Sequence, residues 1–83
     1  MATVAEKVLR IVRQIDWWQR QPGKIGLYTE LARDLGATGL ELAELMFELE
    51  DEFLIEISEA DRLGWVTVRD VVQYVAGRDD IVP

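Results

Sequence analysis

The chain has 83 residues, a formal charge of −7, and neither cysteine nor histidine. This length points to one domain over residues 1–83, near the lower limit at which an apolar core holds without staples, and the absence of cysteine excludes disulfides and thiolate metal sites. Without the usual neutral-pH base or the usual strong nucleophile, the chain is not expected to be an enzyme.

Helix starts are marked by the few hydroxyl residues. Five Ser and Thr occur in the chain, and four stand three positions before an acid: Thr3 with Glu6, Thr38 with Glu41, Ser58 with Asp61, and Thr67 with Asp70. This is capping-box spacing, in which a hydroxyl serves the N3 amide and the N3 acid reaches back to the cap. After Thr3, Val4, Val8, Ile11, Val12, Ile15 and Trp18 recur at helical spacing, and Gln21-Pro22-Gly23 is expected to end that helix. Residues 21–37 form a long connection, of a length that implies it is packed down, with Leu27, Leu31 and Leu35 fastening it.

A second helix is predicted over 39–53, and it has two apolar faces. At about 100° per residue, Leu42, Leu45, Met46, Leu49 and Phe53 gather on one side and are expected in the core. Leu40, Ala43 and Phe47 fall nearly opposite, with Glu44 and Asp51 beside them and Glu41 and Glu48 just beyond. Such a strip is either covered by residues 21–37 or the next helix, or it docks a partner. The Ser58 segment is expected to give one or two turns ending near Gly64. After Thr67, Val68, Val71, Val72 and Val75 step at helical intervals, with Gly77 placed to stop the helix as a C′ residue.

Charge is distributed unevenly. Residues 38–61 carry nine acids and no base, whereas residues 1–37 carry six bases and four acids. The acidic block would repel a nucleic-acid backbone and attract a partner with a basic patch, chiefly through a faster on-rate. No apolar run reaches the roughly 18 residues of a membrane span and no signal peptide is evident, so a cytoplasmic location is expected. No metal site is expected, because carboxylates alone bind hard cations weakly and EF-hand spacing is absent.

The segment Asp34-Leu35-Gly36-Ala37-Thr38-Gly39-Leu40-Glu41 resembles the attachment motif of acyl carrier proteins, which write Asp-Leu-Gly, a small residue, then Asp-Ser-Leu. Further similarity lies in Glu44-Leu45, Leu49-Glu50-Asp51-Glu52-Phe53, Ile55-Glu56-Ile57, Val66-Thr67-Val68 and Tyr74-Val75. The resemblance implies an all-α fold, a four-helix bundle of three longer helices and one short. It also implies that the second helix meets basic patches on synthases and transferases, passing that role to Leu40, Glu41, Ala43, Glu44, Phe47, Glu48 and Asp51. The family's serine carries 4'-phosphopantetheine, but Gly39 stands at that position here and Thr38 at the preceding aspartate. No covalent cofactor is therefore expected.

The reading that follows is a monomeric docking, regulatory or scaffold module for enzymes of fatty-acid, lipid or polyketide synthesis, with no acceptor serine. One alternative is a working carrier in which Gly39 is an engineered or atypical substitution. Another is a small subunit packed on a larger protein through Trp17 or Trp18. Trp65 stands where the family has a smaller aliphatic residue near its acyl-holding cavity, and it either fills that space or is an ordinary core or surface side chain.

Overall fold

All four hydroxyl caps begin helices: α1 (Val4–Gln14), α2 (Gly39–Phe53), α3 (Glu59–Arg62) and α4 (Val68–Ala76). The computed structural model describes residues 2–17 and 25–78. Among them the only β-type pairing is an isolated antiparallel bridge between Glu30 and Thr67. The Thr3 hydroxyl accepts from the Glu6 amide at 3.1 Å, Ser58 from Asp61 at 3.1 Å, and Thr67 from Asp70 at 3.2 Å.

α1 packs against both α2 and α4. Val8 and Val12 from α1, Leu45 and Leu49 from α2, and Val68, Val71 and Val75 from α4 are all fully buried. Each such side chain contributes about 1.5–3 kcal/mol by leaving water. Leu42, Met46 and Val72 are half-buried at the edges of this core.

Two helix ends differ from expectation. α1 stops at Gln14 rather than at Gln21-Pro22-Gly23, and Ile15 turns extended with ψ 140°. There the Val12 carbonyl accepts both the Ile15 amide at 3.3 Å and the buried Trp17 indole NH at 2.8 Å, which holds residues 15–17 back against the last turn. Gly77 ends α4 as its C-cap, one place before the C′ position expected, with φ −85° in the right-handed region. The left-handed residue among the helix ends is instead Leu54, at φ 54° after α2.

The connection before α2 is held at several points along its length. Arg13 donates to the Ile25 carbonyl at 2.9 Å, while Leu31 and Leu35 are buried and Leu27 is half-buried. The carbonyls of Thr29 and Leu27 accept from the Val68 and Arg69 amides at 3.0 and 2.8 Å. These are the first two amides of α4, which a helix cannot satisfy internally.

Asp70 completes that helix start. Its Oδ2 accepts from the Val66 and Thr67 amides, both at 2.9 Å, and these two bonds hold its carboxyl below the ordinary value of 3.8. A depressed folded-state value means stability that is present above pH 3.8 and lost as pH falls through the folded value. Asp70→Ala is expected to cost about 1–2 kcal/mol at neutral pH. Urea unfolding followed across pH should show a shallower acid-side decline in the variant than in the parent.

Candidate functional site

The Asp-Leu-Gly part of the motif is structural. Residues 31–37 close a helical turn in which Ala37 N donates to Leu31 O at 2.9 Å and Gly36 N to Ala32 O at 3.1 Å. The bond from Gly36 is the 5→1 bond of the αL motif, with Gly36 as its left-handed residue at φ 63°. Asp34 Oδ2 accepts from the Glu30 amide at 2.8 Å, tying the start of the turn. Leu35 is fully buried and fixes the turn to the core. Spacing alone held this signal: a leucine pair at i, i+4 followed directly by glycine marks a capped turn.

The chain then enters α2. Glu41 Oε1 accepts from the Thr38 amide at 2.9 Å and from the Thr38 hydroxyl at 2.8 Å. Thr38 thus caps the helix, as its spacing from Glu41 implies. Gly39 is the first residue of α2 and is exposed. Its φ lies outside the left-handed region, and a Cβ added there would meet nothing within 4 Å. Neither backbone conformation nor crowding requires glycine at this position.

The outer face of α2 carries most of the expected docking residues. Leu40 is 80% exposed and Phe47 69%, and neither the described part of the connection nor α3 covers them. Ala43 is half-buried beside them, and Glu44, Glu48 and Asp51 are exposed. Glu41 is a correction. It is 8% exposed, because its carboxylate is drawn back onto Thr38, so it is not available to a partner as expected. Glu44, Glu48 and Asp51 make no hydrogen bond or ion pair with any described residue. The acids do not ring the strip evenly. Stepping 100° per residue puts Glu44, Glu48 and Asp51 on one side of Leu40 and Phe47, whereas Ala43 and Glu50 lie on the other. Glu50 is occupied, accepting from the Ile57 amide at 2.9 Å and drawing residues 55–57 back onto α2.

The tryptophans separate into different roles. Trp17 is 3% exposed and belongs to the core, which removes it as a contact for an outside protein; Trp18 lies outside the described residues. Trp65 is half-buried and meets Tyr74 edge-on, with ring centroids 5.4 Å apart. Tyr74 donates to Asp61 Oδ2 at 3.0 Å and accepts from Arg78 Nη1 at 2.6 Å, binding α3 to α4. Burial, then the bond to Asp61, raises its hydroxyl above the ordinary 10.0. The contribution of the neutral hydroxyl is therefore complete below pH 10.0 and lost as pH rises through the folded value.

Two further exposed apolar residues, Leu63 at 74% and Val66 at 55%, follow α3. A helix of four residues offers no period from which they could have been read. Among the described residues no group of three or more acidic side chains is arranged to hold a metal ion, and no helix is long and apolar enough to cross a membrane.

Against known families, the model described as the phosphopantetheine attachment site matches residues 6–75. The match runs from the first turn of α1 to the last turn of α4 and includes the whole of α2.

Proposed function

Because the chain belongs to the phosphopantetheine attachment site family, we propose that it is a carrier-like docking module that holds no arm. It offers α2 to enzymes of fatty-acid, lipid or polyketide synthesis and occupies the surface a charged carrier would use, to regulate or scaffold them. The observation that carries this reading is the pairing of Leu40 and Phe47, 80% and 69% exposed, with the carboxylates of Glu44, Glu48 and Asp51, which are unpaired among the described residues. Large exposed side chains supply the anchors of an interface, and uncompensated charge steers a basic partner onto them. Gly39 has no oxygen to take phosphopantetheine, and the nearest hydroxyl, on Thr38, is engaged with Glu41. The reading places the protein in the cytoplasm as a monomer without catalytic activity of its own.

The test is binding to a synthase whose carrier-binding surface is basic. The double variant Glu44→Lys with Glu48→Lys should weaken binding roughly tenfold at low salt, with the difference shrinking as ionic strength rises. Glu6→Lys on α1 should leave affinity nearly unchanged. Equal losses from both variants would overturn the docking reading.

One observation favours a second reading, in which a working carrier has an atypical residue at 39. The first position of α2 has room for a side chain, so the frame for a serine persists. Under this reading, restoring the hydroxyl restores the arm.

A further inference from the structure

The span between Ile57 and Val66 is fixed at its two edges. The Ile57 amide donates to Glu50 at 2.9 Å, and the Val66 carbonyl accepts from the Leu31 amide at 2.9 Å. Between these points lies α3, none of whose four residues is buried. So short a helix does not hold itself, and it has no apolar anchor of its own. What ties it down is a relay from the end of α4. Arg78 Nη1 donates to the Glu56 carbonyl and to the Tyr74 hydroxyl, both at 2.6 Å. The Tyr74 hydroxyl in turn donates to Asp61 Oδ2 at 3.0 Å, and the Arg78 guanidinium lies over the Tyr74 ring.

The seated position of α3 also leaves two donors unanswered. Arg62 Nε and Trp65 Nε1 are shut off from solvent, with no hydrogen-bond partner among the described residues. Glu59 takes Arg62 Nη2 at 3.0 Å, yet the arginine side chain is only 12% exposed. A donor withdrawn from water without a partner opposes the state that buries it. Lifting α3 would return both donors to water, whereas seating it makes the relay. We propose that residues 58–65 form a strap with a seated and a lifted position, and that the Arg78–Tyr74–Asp61 relay is the latch that keeps it seated. The inference goes beyond docking by α2 and does not depend on it. Leu63, 74% exposed, rides on the strap. The last turn of α4 therefore controls how this apolar side chain is presented to another molecule.

Native-state hydrogen exchange of the full chain, read by NMR at low urea, tests the latch without a partner enzyme. The amides of Leu63, Gly64 and Trp65 donate within the strap, to Glu59, Asp61 and Arg62, and report its lifting. Val12 and Leu49, in the core, report unfolding of the whole domain. In the parent, exchange at 63–65 should be faster than at Val12 and Leu49 and nearly independent of urea, because a local opening exposes little surface. The Trp65 indole proton should exchange through the same opening. Tyr74→Phe keeps the ring that meets Trp65 edge-on and removes only the hydroxyl. It should speed exchange at 63–65 and at the indole roughly tenfold, still without urea dependence. Asp61→Ala should match it, and the double variant should add nothing further, as for two ends of one bond. Asp61→Asn, which keeps an acceptor oxygen, should have the smaller effect. The proposal is overturned if exchange at 63–65 follows the urea dependence of Val12 and Leu49. It is equally overturned if Tyr74→Phe leaves the strap or the indole unchanged, or if the two single variants add in full.

Discussion

Gly39→Ser is expected to convert a chain that takes up no phosphopantetheine into one modified nearly completely by a broad phosphopantetheinyl transferase. The stereochemistry is permissive: residue 39 is the first of α2, its φ is outside the left-handed region, and a Cβ there meets nothing within 4 Å. The new hydroxyl would not compete with the cap, because Thr38 and Glu41 already satisfy each other. The change in stability should stay within about 0.5 kcal/mol, as for other surface substitutions. Intact mass before and after incubation reads the outcome, with the unsubstituted chain as the control that gains nothing. An adduct on the unsubstituted chain would overturn the armless reading. A folded Gly39→Ser chain that stays unmodified would place the loss more widely, with Thr38 as the next difference. Thr38→Asp combined with Gly39→Ser then decides whether that residue is responsible.

The largest stability effect should come from Leu35→Ala. Leu35 is fully buried, and it holds the capped turn whose Gly36 sits at φ 63°. Removing its side chain should cost about 2–5 kcal/mol, the range for a buried leucine that leaves a cavity. A domain of this size has a total stability of roughly 5–12 kcal/mol, so the variant should unfold at markedly lower urea concentration. Leu40→Ala offers the contrast. It removes the same atoms from a residue 80% exposed, and should change stability by no more than about 0.5 kcal/mol. Circular dichroism against urea checks both, and a large loss at Leu40 would mean that it is structural rather than available to a partner.

The contrast between these leucines shows what the sequence could reveal. Helix starts were legible because a hydroxyl and an acid three residues later are local, and local chemistry needs no fold to act. The exposed position of Leu40 and Phe47 was legible because helical geometry alone separates them from Leu45 and Leu49. The end of α1 was not, since it depends on an indole returning to a carbonyl five residues back once the core has formed. Glu41 was misplaced for a related reason. Its residue type and angular position matched the other acids, but the cap draws its carboxylate inward and leaves the residue 8% exposed. The pairing of residues 27–31 with 66–69 also left no trace in composition, because backbone amides and carbonyls carry it and every residue type has those.

That backbone pairing limits how the recognition helix can be transplanted. Leu27 and Thr29 accept from the first amides of a helix about forty positions away, so the stretch preceding α2 doubles as the cap of α4. A minimal peptide cut at the attachment motif would leave those donors open and discard the turn that sets where α2 begins. Grafting this recognition surface onto another scaffold therefore means carrying the upstream segment with it, as an integral part of the insert rather than as a dispensable linker.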